Sequence, residues 1–508
     1  MEAVTAWGEW QEPVEGPWEL PEGWVWAPLE AVALVNPPTA FQGTPDKEEL
    51  AFVPMAAVSE ETGRIALDQR RPAKDVAKGY VRFMEGDVIF AKITPCMENG
   101  KVAPVSGLPS QFGAGSTEFH VLRPKSIGQR YLWYWLVSRR FRQQAQRHMS
   151  GSAGQLRVPV DYLRRSLMPV PPLPEQRRIV TRIDELFAEI AEGEVALADA
   201  HDGLESFRRA LLKSAVTGEL TANWRAANAV AETGHGLLAR INAERAAMSG
   251  KARGRRSVNA GPIDKSILPA LPAGWTWATI GDLTEFVTSG SRGWKEFYAD
   301  TGAIFVRAQN INSGKLDLTD AAFVQLPEKA EGLRTLIKRD DVLVTITGAN
   351  VTVSARVNQD LPEAYVNQHI ALLRLLVAET SEFVLLWLQA EGAGKSQLIS
   401  AAYGAGKPGL NLDNIREVMV ALPSPAEATE IIRRVHDALS AYSDTVAVLD
   451  AEAADATHLK QSILKAGFEG RLVPQDPDDE PATAMLARLA STQPAAARKS
   501  RGRPRKGA

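Results

Sequence analysis

Several short runs in the sequence approach known chemical centres, and each falls short at a defined residue. Gly392-Ala393-Gly394-Lys395-Ser396 ends like a phosphate-cradling loop, in which backbone N–H groups wrap a phosphate and a lysine meets its charge. That loop needs a glycine where Gln389 stands. Asn36-Pro37-Pro38-Thr39 begins like the tetrapeptide with which adenine methyltransferases hold a flipped base. Thr39 occupies the place of the stacking aromatic, and no glycine-rich cofactor loop follows a strand. Seven scattered histidines show no metal-ligand spacing, and no paired acids precede the Glu-x-Lys arrangement of metal-dependent nucleases in a strand context. The lone cysteine, Cys96, excludes an internal disulfide and a cysteine-rich zinc site, and it fits a reducing cytoplasm. The expectation is a non-enzyme with no catalytic residue, no metal and no cofactor.

Charge points instead to binding. The chain has 58 Lys and Arg against 61 Asp and Glu, a formal net charge of −3. Yet Val121–Arg165 holds ten basic residues and one acid, Asp161. Lys251–Arg256 and the tail from Arg498 to Lys506 are also basic, while acids gather in the N-terminal arm, the helical stretches and Asp476–Glu480. A basic run is commonly a solvated face; three of them in a nominally acidic chain favour local contact with an anionic partner. The acidic, tryptophan-rich start (Trp7, Trp10, Trp18) is not a signal peptide, and no apolar run reaches the ~18 residues of a membrane span.

The elements that must position these residues are written twice. LPEGWVW at Leu20–Trp26 returns as LPAGWTW at Leu271–Trp277, 251 residues later. Gly86-Asp87-Val88-Ile89 matches Asp340-Asp341-Val342-Leu343, and Phe119–Arg123 matches Ile370–Arg374. Trp135-Leu136 matches Trp387-Leu388, and Val160–Arg164 matches Leu412–Arg416. Leu212-Lys213-Ser214 with Gly218 matches Leu464-Lys465-Ala466 with Gly470. Blocks in one order at nearly constant spacing mean a tandem duplication of one large unit.

Each copy opens with a β-rich region: Tyr80–Ile93 and Phe119–Leu122 in the first, Ala303–Arg307 and Asp341–Ile346 in the second. A short helix follows (Gln129–Gln146; Glu382–Gln397), then a proline hinge (Pro169–Pro174; Leu422–Pro425). Last comes a long proline-free stretch with a 3.5-residue apolar stripe. Its members are Ile183, Leu186, Ile190, Leu197, Ala200, Leu204, Phe207 and Leu211, then Ile432, Val435, Leu439, Tyr442, Val446, Leu449, Ala453 and Ala456. Glu175 to Ala215 predicts a helix of about 40 residues, roughly 60 Å. Two such helices in one chain bury their stripes by packing together, antiparallel if a twofold axis relates the halves; the alternative is that each packs on its own head. The fold class expected is α+β: a duplicated mixed α/β head plus a long helix, the helices forming an antiparallel coiled coil with pseudo-twofold symmetry.

With these residues assembled, the chain resembles the specificity subunits of type I restriction-modification systems over about Leu20 to Leu489. The resemblance rests on LPxGWxW in both halves, on GDVIFAKITPCMENGKV (Gly86–Val102) and on GSTEFHVLRP (Gly115–Pro124). SGSAGQLRVPVDYL (Ser150–Leu163), PPLPEQRRIV (Pro171–Val180) and LLKSAVTGEL (Leu211–Leu220) complete it. The second hinge departs from the pattern, with LPSPAE at Leu422–Glu427 and Ala428 where the first copy has Gln176.

The resemblance implies an acidic arm (1–19), target-recognition domains at 20–170 and 271–421, and conserved helical regions at 171–220 and 422–472. A helix and basic linker (221–270) and a C-terminal extension (473–508) complete the division. It also implies a cytoplasmic chain that reads a bipartite, asymmetric target in double-stranded DNA. Two methyltransferase subunits and translocating endonuclease subunits are the implied partners, with no membrane partner. The competing class is a duplicated coiled-coil adaptor that does not read DNA.

Base reading needs paired donors and acceptors. The loop after the first buried strand supplies Lys92, Thr94, Glu98, Asn99 and Lys101; its counterpart supplies Thr345, Thr347 and Asn350. Ser116, Thr117 and Glu118 stand before a strand as Asn367, Gln368 and His369 do in the second copy, and Arg307, Gln309 and Asn310 form a further polar set. Arg139, Arg140 and Arg142 suit phosphates. Arg503, in the Gly-Arg-Pro core of the tail, resembles a minor-groove hook.

Overall fold

The computed structural model describes residues 14–152, 154–249, 268–290, 293–312, 314–327, 333–402 and 409–492. The basic linker at 251–256 and the tail containing Arg503 lie outside the described residues. The chain divides into two units, Met1–Leu197 with Ala451–Ala508, and Ala198–Asp450. Both cuts fall inside the long helices. Each unit therefore holds the end of one copy and the head of the other.

In the first unit, Val25–Pro28 pairs antiparallel with Leu167–Val170, so the two ends of the head close on each other. A four-stranded antiparallel sheet runs in the order Ala33–Val35, Phe119–Pro124, Val88–Ala91, Val102–Pro104. Val88-Ile89-Phe90-Ala91 is buried throughout, as an unbroken apolar run should be when both faces are covered. Val88 and Phe90 face the helix Gln129–Val137; Ile89 and Ala91 face Val53 and Phe83 of a second sheet. That sheet runs Arg70–Pro72, Glu49–Val53, Phe112–Gly115, Val81–Met84, with its central pair parallel.

The second unit repeats this plan. Thr276–Thr279 pairs with Met419–Leu422, and a four-stranded antiparallel sheet runs Thr284–Ser289, Ile370–Leu375, Val342–Thr345, Ser354–Arg356. Its other sheet, Tyr298–Ala299, Ala322–Val324, Ala303–Val306, Ala364–Val366, keeps one parallel pair but moves it to an edge. The heads differ most in this outer sheet.

The duplicated motifs meet each other in space. Asp87 takes two hydrogen bonds from Arg123, at 2.7 and 2.8 Å, and Asp341 takes two from Arg374, at 2.9 and 2.7 Å. Each carboxylate also accepts a backbone N–H from the turn before it, Met84 or Lys338. Burial pushes the Asp341 carboxyl up despite its arginine. The turn passes through positive φ at Gly86 (+88°) and Asp340 (+70°), where glycine is free of penalty and aspartate is tolerated.

The long helices span Leu173–Thr217, 45 residues, and Pro425–Phe468, 44 residues. In the first unit Ile179 and Ile183 pack against Gly467, and Lys460 pairs with Glu194 at 2.7 Å. In the second unit His201 meets Asp450 at 3.3 Å, and Tyr442 donates to Glu205. Rising numbers on one helix meet falling numbers on the other in both units, so the pairing is antiparallel. Of the expected stripe, Ile183, Leu211 and Val435 are buried and most others half-buried. Ala200, Phe207 and Ala453 are exposed, because two helices alone cover only one side of each other. Gly218 (φ +76°) and Gly470 (φ +68°) end the helices in the left-handed conformation.

Two helices expected as continuous are broken. Gln129–Val137 and Arg139–Arg147 are separated at Ser138, whose extended backbone ends one helix and whose Oγ accepts from Phe141 N to cap the next. Ser381–Gln389 and Gly394–Ala401 are separated at a turn through Gly392, φ +81°. After each long helix the chain docks on a head: Gly234 N donates to Gly274 O at 2.7 Å in one unit, and Ala482 N to Gly23 O at 2.9 Å in the other. Among the described residues no helix is long and apolar enough to cross a membrane.

Candidate nucleic-acid interface

In the first head, three segments converge where the strand Val88–Ala91 ends. Lys92 N donates to Glu118 O at 2.9 Å, and Val158 N donates to Lys92 O at 2.8 Å. This ties the loop 92–101 to the turn 116–118 and to the ribbon formed by Ser150–Ser152 and Gln155–Arg157. The turn is held by Ser116 Oγ, which accepts from Glu118 N, leaving Thr117 exposed. Glu118 receives a two-pronged contact from Arg157, at 2.9 Å for both bonds, which holds its carboxyl below the usual range.

The loop residues differ in what they can reach. Asn99 is exposed and donates to Glu60 at 2.9 Å, a surface contact that a ligand can displace. Thr94 donates to Glu98 Oε1 at 2.9 Å, and Glu98 Oε2 is buried without a partner, so this carboxylate turns into the fold. Lys101 lies against Met55 O at 3.4 Å. Lys92 is half-buried, and its ammonium has no hydrogen-bond partner among the described residues.

Beside these segments lies a cavity of about 460 Å³ lined by Arg82, Lys92 and Arg157 together with Asn36, Tyr80 and His120. His120 is buried; Asn36 Nδ2 donates to its Nδ1 at 2.9 Å, so its Nε2 donates to Val158 O at 2.9 Å. Burial and nearby Lys92 and Arg164 depress its pKa to about 4, so the ring is neutral. The other half of the Asn36 amide accepts from Val121 N at 2.9 Å. Both ends of Asn36 are thus spent on the fold, which gives the Asn-Pro-Pro run a structural role.

The basic helix Arg139–Arg147 separates into two kinds of residue. Arg142 is buried, bonded to Val137 O at 2.9 Å and to Glu98 O and Glu61, where it locks the loop against the helix. Arg139 and Arg140 are exposed, and Arg140 lies over the Trp18 ring at 3.9 Å.

The second head places its set at the same end of the same sheet. Ile346 N donates to His369 O at 2.9 Å and Leu410 N to Ile346 O at 2.8 Å, repeating the Lys92 pattern. Asn367 Oδ1 accepts from His369 N at 3.0 Å as Ser116 does in the first copy. Gln368, His369 and Asn350 are exposed; Thr347 meets His369 Nδ1, and Gln368 lies 3.2 Å from His369 Nε2. Thr345 is fully buried inside its strand, so it faces the core. Arg307, Gln309 and Asn310 gather on Asp320, and Asn310 is itself buried; only Gln309 of the three is exposed. In the phosphate-loop lookalike, Lys395 pairs with Glu391 at 3.1 Å.

Residues 22–196 match the family model described as the type I restriction modification DNA specificity domain. The chain is 26% identical to the type I restriction enzyme EcoAI specificity subunit of Escherichia coli, over 89% of this chain and 84% of that one. It is 24% identical to the EcoKI specificity subunit of Escherichia coli strain K12, over 96% and 98%. The chain is thus similar to type I specificity subunits along most of its length. Among solved structures, one concerning complex assembly and conformational transition of the type I R-M system shares the fold at a TM-score of 0.63 and 19% identity, covering 90% of this chain and 100% of that one. The HsdS subunit from Thermoanaerobacter tengcongensis matches at 0.50 and 20%, covering 90% and 99%.

Sequence reasoning did not pick out Arg82 and Arg157, which line the cavity of the first head. Arg157 sits inside the motif SGSAGQLRVPVDYL, one residue before the valine that bonds to Lys92, so position within the motif was the available signal. Nothing local marks Arg82, which reaches the cavity through strand pairing at residues distant in sequence.

Proposed function

We propose that the chain reads a bipartite, asymmetric target in double-stranded DNA, one part per head, and positions adenine methyltransferase and endonuclease subunits on it in the cytoplasm. The observation that carries this is the duplicated convergence of exposed polar turns at one end of the same sheet, with different side chains in each copy. Thr117, Asn99 and Lys92 present donors and an acceptor in the first head; Gln368, His369, Asn350 and Gln309 do so in the second. Asn and Gln suit adenine, and Lys suits guanine or phosphate. Unlike sets on like scaffolds give unlike half-sites. The long helices act as the ruler over the unread spacer, and Arg139 and Arg140 hold phosphates. The relatives' name, specificity subunit of a restriction enzyme, supports a role in target choice within a larger complex.

Co-expression with its methyltransferase partner, followed by mapping of methylated adenines, tests the reading. Two fixed half-sites separated by an unread spacer are expected, and they should be lost when the chain is omitted. A continuous site, or one unchanged without the chain, overturns it.

A further inference from the structure

We infer that the cavity of the first head is a phosphodiester grip, formed by Arg82, Lys92 and Arg157, of which two positions are held by Ile346 and Gly409 in the second head; the inference rests on the DNA-reading function above.

Three cations line one concave surface of about 460 Å³, and no carboxylate lines it with them. Glu118 stands behind Arg157, engaging its Nε and Nη2 at 2.9 Å, and so orients the guanidinium. Arg157 Nη1 is steadied by Gln155 O at 3.2 Å, while its side chain remains 41% exposed. Neither Lys92 nor Arg82 has a hydrogen-bonded or ion-paired side-chain partner among the described residues; Arg82 lies 5.7 Å from the Phe41 ring. Two unpaired cations and one anchored arginine around a concavity leave an excess of positive charge that an anion can neutralise. His120 in the cavity wall stays neutral at physiological pH, and Arg164 adds to the same positive field. The Arg157 fork, with its fixed planar donors, suits phosphate oxygens, and the lysine acts as a point charge.

The duplication supplies the contrast. The backbone bonds that place Lys92 place Ile346 in the second head, and the bridge that pairs Ile93 with Arg157 pairs Thr347 with Gly409. At these two positions, then, an apolar residue and a glycine replace cations. Among the described residues, Asn350, Gln368 and His369 are exposed around the second site, and all can contact bases without a fixed charge.

The test uses the full chain assembled with its methyltransferase partner and a mixed-sequence DNA duplex, because a phosphate contact is blind to sequence. Arg82→Gln and Lys92→Gln remove no hydrogen bond of the fold; Arg157→Gln is paired with Arg157→Lys, which keeps the charge if the neutral variant folds poorly. Each neutral variant is expected to weaken binding at low salt and to flatten the salt dependence. One lost contact should reduce the fall in affinity between 50 and 200 mM salt by about 3.5-fold. Gln368→Ala in the second head should leave the salt slope unchanged. Binding by the unaltered complex with the same slope in all the variants overturns the grip alone. Absence of duplex binding by the unaltered complex overturns the DNA-reading function, and the grip with it.

Discussion

Trp275 donates its indole N–H to Glu427 at 2.8 Å, and this bond ties the opening motif of the second head to the first turn of a long helix. Trp24 and Glu175 make the same bond at 2.9 Å in the first head. The two carboxylates carry different loads. Glu427 also accepts from Thr221 at 2.7 Å and Arg225 at 3.0 Å, whereas Glu175 has a buried oxygen without a partner, and burial pushes its carboxyl up.

Glu427→Ala should therefore destabilise more than Glu175→Ala. Removing Glu427 strands a hydroxyl and an indole and leaves Arg225 with its bond to Gly218 O but without its counter-charge; breaking a buried charged pair costs about 3–5 kcal/mol. Removing Glu175 strands one indole donor, about 1–3 kcal/mol. Urea unfolding of the full chain, with hydrogen exchange to locate the weakened unit, checks the order. Equal losses would show that the extra partners of Glu427 contribute nothing.

His120 makes the first head acid-sensitive. Its pKa is lowered from 6.5 to about 4 in the fold, so the unfolded chain binds a proton that the folded chain refuses. Stability from this group is complete above about pH 6.5 and is lost as pH falls towards 4, for a total of about 3 kcal/mol. His120→Gln, which has no titrating ring, should remove that part of the acid sensitivity while weakening the fold at neutral pH through the lost Asn36 and Val158 contacts. An identical pH profile for the two proteins, measured by urea midpoints from pH 4 to 8, would refute the assignment.

Replacing residues 20–165 with the first head of another specificity subunit should change one half-site and leave the other as it was. The reason is local: the first head's strands close on themselves through Val25–Pro28 with Leu167–Val170, and the second's through Thr276–Thr279 with Met419–Leu422. Methylated-adenine mapping reads both half-sites at once. Simultaneous change in both halves would mean that the heads do not read independently.

Much of this architecture was legible because duplication turns one weak signal into two. The Gly-Asp-Val and Leu-Arg blocks were visible as repeats, and the structure shows why they travel together: Asp87 and Asp341 each bind the arginine of the other block. The strand Val88–Ala91 was legible from its unbroken apolar run. The direction in which a polar side chain points was less legible. Glu98 and Arg142 look like ligands in the sequence, yet the loop and the helix that carry them face each other, and Arg142 spends its donors on Glu98 O and Glu61. Thr345 lies in a strand whose four residues are all buried, and period-2 alternation gives no warning when both faces are covered. The break at Ser138 was hidden because serine inside an apolar helix reads as tolerated until its side chain caps the next one.

If the long helices are the ruler, their length sets the spacer that the protein accepts. Pairs within the first unit, such as Glu194 with Lys460, lie on one side of Leu197 and Ala451; pairs within the second, His201 with Asp450 and Glu205 with Tyr442, lie on the other. Seven residues inserted after Leu197 together with seven after Asp450 therefore leave every one of these pairings in register. A single insertion slides one helix past its partner and breaks half of them. The double insertion adds two helical turns, about 10 Å, with little rotation because seven residues nearly complete two turns. At about 3.4 Å per base pair, the accepted spacer should lengthen by at most about three base pairs, with the duplex twist selecting which length is read. The half-site sequences should stay the same, since neither head is touched. Methylated-adenine maps of the unaltered and double-insertion chains make the comparison. An unchanged spacer in a folded, methylation-competent variant would mean that the helices do not set the distance, whereas loss of methylation only in the single-insertion chain is the outcome that antiparallel pairing requires.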